Sequence, residues 1–554
     1  MTAATFTIRF LPDDRVYEAD APVDVYLAAS AAGILLEQPC GGRGTCGRCR
    51  VRVVAGAPPP TDSERATLTP AELDAGWRLG CQLSLASQAV VDVPAVARSL
   101  SGKSFGGDLP PGALDHPAVD LEPGRTRPRY GLAIDLGTTS LAAALVSLDD
   151  GSVAASASAL NPQVAFGADV ISRIGHTLAS PDGLAHLRNA VRGGLERLVN
   201  GLAAEVGCRA DDVAVAAAAG NPTMTQAWMG VPVAGLGHAP YTAAWSGALT
   251  TRAASVELPI RPDAVVLVFP LVRSHVGGDL VSAAVACGLD AAAPGGGGPR
   301  LLIDLGTNTE LLLACDGRLI VTSAAAGPAF EGGAIRHGMR GSPGAIDVVS
   351  VLPDGRVLAS TIGGLPARGV CGSGLVDAVA GLLRVGVVSA SGALRRAGET
   401  GTDPFAERLS AADRQSAFML VSGGDPHGPG PVAVSARDVR EVQLAKGAIL
   451  AAATLLCRHA DLGPGDLAEL LVAGAFGNYL RKSSALRIGL LPPIDPERVR
   501  MVGNAAGVGA RLALLDRRVF ERARALAARA EYVDLAGHAG YEAAFMDALA
   551  FPEG

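Results

Sequence analysis

Aromatic residues, basic runs and long apolar runs are all scarce in this sequence. Phe, Trp and Tyr make up only 4% of the chain. Lysine and arginine together (47) are outnumbered by aspartate and glutamate (54), and nowhere do five basic residues follow one another. No apolar stretch approaches the roughly 18–20 residues of a membrane-spanning helix. We therefore expect no nucleic acid as a partner, because the sequence has no basic cluster that would bind a phosphate backbone. We expect no membrane as a partner either, because the sequence has no membrane-spanning segment.

Glycine and apolar residues are abundant instead. The chain contains 70 glycines, and 49% of its residues are hydrophobic, which is typical of a globular protein and not of a disordered one. A chain of 554 residues is too long to fold around one hydrophobic core, so two to four domains of about 100–200 residues are expected. The N-terminus lacks the basic segment and apolar core of a secretory signal. This pattern predicts a cytoplasmic protein.

Four of the nine cysteines lie near the N-terminus, as Cys40-x5-Cys46-x2-Cys49 followed by Cys81. Three thiolates on one loop with a fourth at a distance is the arrangement that a [2Fe–2S] cluster uses. Zinc bound by four cysteines is the alternative, but such sites prefer two separated Cys-x2-Cys pairs. The pattern favours a [2Fe–2S] cluster with these four cysteines as its metal ligands.

The residues around these cysteines resemble those of [2Fe–2S] ferredoxins, with the five-residue first gap of the adrenodoxin-like branch. The resemblance implies an α+β domain with a β-grasp fold over residues 1–94. Residues 95–128 then lose hydrophobic periodicity and collect Gly, Pro and charged residues, which predicts a flexible linker.

An internal repeat follows the linker. Residues 131–140 contain an apolar strand, the turn sequence Asp135-Leu136-Gly137-Thr138-Thr139 and a second apolar strand, and residues 301–310 repeat this pattern around Asp304-Leu305-Gly306-Thr307-Asn308. Each copy is followed later by an apolar strand ending in Gly-Asn, at 220–221 and at 477–478. We predict two copies of one α/β unit, over residues 129–265 and over residues 266–554 with a C-terminal extension.

A hairpin turn of the type Asp-x-Gly-Thr suits a phosphate. Its backbone amides and hydroxyls can bind the anion, and its carboxylate can hold Mg²⁺ through water. One such turn is weak evidence, since turns favour Asp and Gly in general. Two of them in equivalent positions of a repeat predict a nucleotide held from both sides.

The paired turns resemble the two phosphate motifs of the acetate/sugar kinase, heat-shock chaperone and actin superfamily, and residues 472–477 resemble its adenosine motif. The resemblance implies a duplicated, two-lobed α/β fold of the actin-like (ribonuclease H-like) kind, with ATP and Mg²⁺ between the lobes. It implies catalytic roles for Asp135 and Asp304. The cofactor-binding residues it implies are Gly137, Thr138, Thr139, Gly306, Thr307, Asn308, Thr309, Gly372, Ser373, Gly374, Gly474, Ala475, Gly477 and Asn478. Glu310 and Glu331 are further candidates for binding Mg²⁺ or orienting water.

The combination of a ferredoxin domain, a linker and an actin-like ATPase resembles the reductive activators of corrinoid proteins over nearly the whole chain. Segments 219–224, 277–279, 369–374, 437–446 and 503–507 also fit that family. The resemblance implies ATP-dependent transfer of one electron from the cluster to the Co(II) corrinoid of a methyltransferase partner, which restores Co(I). It implies as partners a corrinoid protein or cobalamin-dependent methyltransferase and a low-potential electron donor. A homodimer is a further expectation.

Two other functions stay open at this point. A ferredoxin-type electron-transfer protein could use its nucleotide domain as a sensor of ATP without driving a reduction. An ATP-driven electron donor could serve a different acceptor, as the activators of acyl-CoA dehydratases do. Those activators resemble this chain in the ATPase fold, but they carry a cluster that bridges two subunits and have no N-terminal ferredoxin domain.

Overall fold

The computed structural model describes most of the chain. The described residues are 5–12, 14–20, 22–25, 28–29, 32, 34, 36, 49–94, 105–106, 109–119, 129–167, 169–290, 297–396, 404–412, 415–422, 430–474 and 479–553.

The N-terminal domain is built on a five-stranded sheet with the spatial order β2-β1-β7-β4-β5, beside which β3 and β6 pair separately. Its strands are β1 (Phe6–Leu11), β2 (Arg15–Ala19), β3 (Val23–Asp24), β4 (Arg50–Ala55), β5 (Trp77–Leu79), β6 (Ser84–Leu85) and β7 (Ala89–Asp92). Strand β1 pairs antiparallel with β2 and parallel with β7. Alternating Ile8 and Phe10 are fully buried beneath one face.

Two short helices in this domain begin with a capping box. In α1 (Asp62–Thr67) the Thr61 side chain and Glu64 satisfy each other's backbone amides, and α2 (Pro70–Asp74) begins in the same way. Buried Glu64 also accepts a 2.9 Å hydrogen bond from the Leu79 amide, which ties α1 to the sheet. Strand β3 pairs with β6, and the chain after it is helical at Val25, Ala28 and Ala29.

A six-stranded sheet with the order β10-β9-β8-β11-β13-β12 forms the first lobe after the linker. Its strands are β8 (Tyr130–Leu136), β9 (Ser140–Ser147), β10 (Val153–Leu160), β11 (Val213–Gly220), β12 (Gly247–Arg252) and β13 (Val265–Leu271). The helices of this part are α3 (Val170–Ala179), α4 (Gly183–Val206), α5 (Pro222–Met229), α6 (Ala253–Val256) and α7 (Gly278–Ala286). The lobe boundary predicted at residue 265 coincides with the start of β13, which pairs parallel with β11, so the first sheet continues to Leu271.

A second six-stranded sheet has the order β24-β23-β14-β15-β16-β25, and two three-stranded sheets accompany it. The strands are β14 (Arg300–Asp304), β15 (Thr309–Cys315), β16 (Arg318–Ala324), β17 (Ala345–Val351), β18 (Val357–Thr361), β19 (Gly369–Val370), β20 (Leu409–Ala412), β21 (Gln415–Val421), β22 (Val432–Ser435), β23 (Glu469–Ala473), β24 (Val499–Gly503) and β25 (Glu531–Tyr532). The helices are α8 (Gly372–Arg384), α9 (Ala436–His459), α10 (Lys482–Arg487), α11 (Ala505–Leu515), α12 (Arg517–Arg529) and α13 (Tyr541–Leu549).

The two large sheets repeat one topology, which confirms the duplication predicted from the sequence. In the first, β8 pairs antiparallel with β9 and parallel with β11; in the second, β14 pairs antiparallel with β15 and parallel with β23. The registers are equivalent as well. Asp135 lies opposite Ala219, and Asp304 lies opposite Ala473. Each aspartate therefore stands at the end of a central strand, next to the end of its parallel neighbour.

One hydrophobic core joins the two sheets through α7 and α11, and it includes Ala217 of the first sheet and Leu302 of the second. Small residues allow these helices to approach closely. A Cβ at Gly509 would collide with the backbone of Ser282, so α7 and α11 pack there without a side chain between them. Among the described helices none is both long and apolar enough to cross a membrane.

Part of the predicted linker is packed against the lobes. Phe105 is only 1% exposed, and its carbonyl oxygen accepts a 3.2 Å hydrogen bond from Arg511 of α11. Farther along, the His116 carbonyl accepts from the Arg517 amide at 2.8 Å. The described residues between 105 and 119 are therefore anchored, whereas 95–104 and 120–128 lie outside the described part of the chain.

Candidate functional site

A cleft of about 370 Å³ opens between the two repeats. The turn between β8 and β9 lines one side, and the turn between β14 and β15 lines the other. The residues predicted for the nucleotide site that line this cleft are Asp135, Gly137, Thr138, Thr139, Asp304, Gly306, Thr307, Asn308, Thr309, Gly372, Ser373 and Gly474. Ala475, Gly477 and Asn478 lie outside the described residues. Gly374 packs behind the cleft, where a Cβ would collide with the Ile346 carbonyl.

The first turn is held by hydrogen bonds to its carbonyl groups. The Asn161 side chain donates to the Gly137 carbonyl at 2.9 Å, and Arg173 donates to the Thr138 carbonyl at 2.7 Å. Because N–H and C=O point in opposite directions across a trans peptide, these bonds turn the amides of Thr138 and Thr139 away from Asn161 and Arg173. The resulting turn has the amide arrangement that binds an anion.

Arg173 is fully buried beneath this turn. Burial lowers the pKa of its guanidinium to about 10, an effect that the carboxylates of Asp169 and Glu331 oppose, so the side chain remains a cation at neutral pH. Sequence reasoning missed Arg173. It noted Asn221 in the Gly-Asn end of β11 but gave it no role in the site, where its amide donates to the Thr138 hydroxyl at 2.9 Å.

The second turn is shaped by the end of the neighbouring strand. The Leu305 amide donates to the Ala473 carbonyl at 3.1 Å, so the chain leaving Asp304 runs beside the chain leaving β23. Gly474 follows there with φ = +101°. A Cβ at Gly474 would collide with the Leu305 carbonyl and lie 3.1 Å from Oδ1 of Asp304. Only glycine fits where the predicted adenosine motif begins.

The two turns are linked by one carboxylate. Glu331 accepts a hydrogen bond from the Thr307 hydroxyl at 2.5 Å through one oxygen and a hydrogen bond from the Thr139 hydroxyl through the other. The sequence placed Glu331 among the candidates for binding Mg²⁺ or orienting water, but it gave no indication of this bridge.

Two further carboxylates line the cleft, partly buried Asp279 at the start of α7 and buried Glu310 on β15. Burial, reinforced by the neighbouring Asp304 and Asp135 carboxylates, raises the pKa of Asp279 to about 7. Burial, together with Asp279 and Asp304, also raises the pKa of Glu310 well above its ordinary value. Oε1 of Glu310 has no hydrogen-bond partner. A bound cation would relieve this concentration of carboxylates.

Negative charge dominates the described lining of the cleft. Its ionisable carboxyl groups belong to Asp135, Asp279, Asp304, Glu310, Glu331 and Asp347, and Arg340 is its one lysine or arginine. Among the described residues no three or more Asp, Glu, His or Cys side chains converge closely enough to hold a metal ion by themselves. This donor set fits Mg²⁺, which usually keeps several waters and is bound by one or two carboxylates together with phosphate oxygens.

The Gly-Val-Cys-Gly-Ser-Gly segment forms the start of α8. Cys371 is the N-cap residue, and burial raises the pKa of its thiol. Its sulfur lies 3.3 Å from the Ile346 carbonyl, to which it donates. Ser373 donates to the Asp347 carbonyl at 2.9 Å. Cys371 therefore has the contacts of a packed thiol, and Gly372 and Ser373 at the start of α8 lie at the wall of the cleft.

The candidate metal centre lies in the N-terminal domain. Strands β4 and β5 pair with Arg50 opposite Leu79, which brings Cys49 and Cys81 together. Their sulfur atoms are 3.2 Å apart, and no disulfide joins them. A disulfide would require about 2.05 Å, so the pair has the spacing of two thiols that can share a metal ion. Cys40 and Cys46 lie outside the described residues.

Three family models match successive parts of the chain. The "2Fe-2S iron-sulfur cluster binding domain" matches residues 9–86, the "RACo middle region" matches 130–292, and the "C-terminal domain of RACo the ASKHA domain" matches 299–554.

Two curated proteins are similar in sequence. The corrinoid activation enzyme RamQ of Eubacterium limosum is 36% identical over 394 residues, which cover 71% of this chain and 65% of RamQ. The [Co(II) methylated amine-specific corrinoid protein] reductase of Methanosarcina barkeri is 34% identical over 234 residues, which cover 41% of this chain and 40% of the reductase. The matched segment thus spans less than two thirds of the length of either relative.

A solved structure agrees over almost its entire length. A reductive activator for a corrinoid, iron-sulfur protein matches with a TM-score of 0.70 and 29% identity, covering 99% of this chain and 98% of that chain. Together with the two RACo models, which between them match residues 130–292 and 299–554, this agreement shows that the chain belongs to the family of reductive activators of corrinoid proteins.

Proposed function

We propose that this protein is an ATP-dependent reductive activator, which transfers one electron from a [2Fe–2S] cluster to the Co(II) corrinoid of a methyltransferase partner and so restores Co(I). One observation carries the proposal. A single chain joins a ferredoxin-like domain, in which two cysteine sulfurs lie 3.2 Å apart, to a cleft lined by two phosphate-type turns. The names of RamQ and the Methanosarcina barkeri reductase, which refer to corrinoid activation and to reduction of a Co(II) corrinoid protein, support it.

In the N-terminal domain, Cys40, Cys46, Cys49 and Cys81 would hold the cluster, which when bound supplies one-electron transfer at low potential. The β4–β5 pairing positions two of these ligands. Cys49 is buried and Cys81 is partly exposed, so Cys81 is the described ligand nearer to solvent. We expect the electron to leave on the Cys81 side.

In the cleft, the amides of the first turn would bind phosphate oxygens of ATP, with Arg173 adding positive charge beneath the turn. Asp135 and Asp304 would bind Mg²⁺ through water, as their positions at the ends of β8 and β14 allow. The excess of carboxylates makes a divalent cation necessary, because a bare triphosphate would meet like charge. Asp279, whose pKa of about 7 allows it to hold or release a proton near neutral pH, is suited to accept a proton from the attacking water.

An uphill electron transfer explains why a nucleotide cleft accompanies the cluster. Plant-type [2Fe–2S] ferredoxins have potentials near −400 mV, and Co(I) is a still stronger reductant. Each ~59 mV of deficit disfavours a one-electron transfer tenfold. A movement of the two lobes driven by nucleotide binding and hydrolysis can supply the free energy that offsets this deficit.

The proposed electron transfer also requires an electron donor and a reducing compartment. A low-potential electron donor has to re-reduce the cluster after each transfer. The five described cysteines outside the N-terminal domain are reduced thiols, as a reducing compartment maintains them, and we place the protein in the cytoplasm. A homodimer stays a prediction, which light scattering on the purified chain can test.

Reduction of a Co(II) corrinoid protein tests the proposal. The anaerobically purified protein, with its cluster verified by absorbance and EPR, is mixed with the corrinoid protein and a low-potential reductant, and Co(I) is followed with and without Mg-ATP. We expect Co(I) only with ATP, and its loss in Asp304→Asn. Asp461→Asn, which removes the same charge from an exposed turn, should retain activity. Co(I) formation independent of ATP would instead favour an electron carrier with a nucleotide sensor.

A further inference from the structure

The bridge through Glu331 crosses the cleft at the position of the two phosphate-type turns. Thr139 follows β8 of the first repeat, whereas Thr307 precedes β15 of the second, and both hydroxyls donate to the same carboxylate. The bridge therefore joins the two halves of the molecule through a side chain that lines the cleft.

The backbone holds Glu331 firmly in this position. It ends the short 3-10 turn Ala329–Glu331, in which Ala329 and Phe330 are buried. Gly332 follows with φ = +82°, and a Cβ there would lie 2.6 Å from the Met339 amide nitrogen. The segment cannot shift easily, so the carboxylate is presented to both hydroxyls by the fold of the second lobe.

A threonine hydroxyl has one hydrogen and can donate it to one acceptor at a time. While Thr139 and Thr307 donate to Glu331, neither can donate to a phosphate oxygen. A phosphate arriving between the turns also meets the negative charge of the carboxylate. Glu331 and a nucleotide's phosphates are thus alternative occupants of the same pair of donors.

We propose that Glu331 is a positioning residue that holds the two turns together while the cleft is empty and is displaced when the phosphates of a nucleotide bind. This inference rests on the proposed nucleotide site. It assigns to Glu331 a role opposite to that of a ligand for Mg²⁺, because removal of its charge should strengthen nucleotide binding.

Nucleotide affinity separates the two roles. Binding of MgADP and of adenosine to the full-length protein is measured by calorimetry for the unaltered chain, Glu331→Gln and Glu331→Ala. We expect both variants to bind MgADP about tenfold more tightly, equivalent to about 1.4 kcal/mol, and to bind adenosine, which has no phosphates, with unchanged affinity. Glu196→Gln, which removes the same charge from the exposed side of α4, should leave both affinities unchanged.

Hydrogen exchange gives a second readout that does not depend on affinity. In the nucleotide-free protein, the backbone amides of residues 131–147 should exchange faster in Glu331→Gln than in the unaltered chain, and saturating MgADP should abolish this difference. Equal or weaker binding of MgADP by both variants would overturn the inference alone, as would unchanged exchange. No binding of MgADP by the unaltered protein would overturn the proposed nucleotide site and this inference with it.

Discussion

At the scale of single residues, local context decides what a sequence can reveal. Asp135 and Asp304 were predictable because each ends an apolar strand, enters a glycine turn and has an equivalent partner in a repeat. Asp279 follows two glycines at the start of a helix, where an acidic residue is common for reasons of the helix dipole alone. Only the packing of α7 beside the second sheet brings it to Asp304. The bridge through Glu331 likewise depends on two turns far apart in the sequence.

The raised pKa of Asp279 predicts how the stability of the empty protein depends on pH. Between the ordinary value of 3.8 and about 7, the folded carboxyl keeps a proton that the unfolded carboxyl has lost. The free energy of unfolding should therefore fall as the pH rises through this window. In Asp279→Asn this fall should be smaller, which thermal unfolding in EDTA at pH 5, 6, 7 and 8 can measure.

The control for this effect is Asp547→Asn, on the exposed side of α13. It should reproduce the pH dependence of the unaltered chain. Identical pH dependence in Asp279→Asn and in the unaltered protein would show that Asp279 titrates normally.

Gly474 provides a steric test of the second turn. Alanine at this position has to adopt an unfavourable positive φ and displace Leu305 and Asp304, so we expect at least about 1 kcal/mol of lost stability and at least a tenfold loss of ATP hydrolysis. Gly465→Ala is the matched control, since a Cβ there meets nothing within 4 Å. Steady-state ATPase assays and chemical denaturation check both variants, and full activity in Gly474→Ala would contradict the described geometry.

At the scale of elements, most strands of the two large sheets could be predicted because they are short apolar runs bounded by Gly, Pro or Asp. Which strands are parallel neighbours could not be predicted, because nothing in the sequence of β13 or of β11 indicates that the two strands pair. The linker shows a related limit. Its average composition predicts a flexible joint, yet the Phe105 side chain is buried in the core beside α11 and contributes to holding the middle of the segment in place.

Removal of the Phe105 ring tests this anchor. Phe105→Ala should lower the free energy of unfolding by about 3 kcal/mol, because a buried aromatic side chain is lost, and trypsin should cleave faster after Lys103. Leu114→Ala, a change at a partly exposed residue of the same segment, should have little effect on either measurement. Unchanged stability together with unchanged cleavage would mean that Phe105 does not hold the segment.

At the scale of the whole molecule, the cluster domain and the nucleotide cleft are built from separate parts of the chain. The ion pair of Asp20 with Arg356, whose charged atoms are 2.6 Å apart, connects the two parts. Both side chains are substantially exposed, and such pairs contribute little, at most about 1 kcal/mol. The order of the domains was readable from the sequence because each carries its own motif, but this contact was not.

Because the cluster domain and the nucleotide cleft come from separate parts of the chain, we expect a substitution in one of them to leave the other functional. Under the proposed function, Cys81→Ser should abolish the visible absorbance of the cluster, because a proposed iron ligand is removed, while MgADP binds as tightly as to the unaltered chain. Cys208→Ser, at a half-buried thiol of the first lobe, should retain both properties. Absorbance spectroscopy and calorimetry on the same samples provide the measurements. A parallel loss of nucleotide affinity in Cys81→Ser would show that the two parts depend on each other.

The packed position of Phe105 also sets how far the electron can be carried. A free chain from Pro94 to Arg129 would reach at most about 120 Å, whereas the stretch from Pro94 to Phe105 reaches at most about 40 Å. The volume open to the cluster domain is smaller by roughly thirtyfold, and its local concentration near a docked partner is higher in proportion. Under the proposed function, the corrinoid protein therefore meets the cluster domain at a place where the attachment point Pro94 lies within about 40 Å of Phe105.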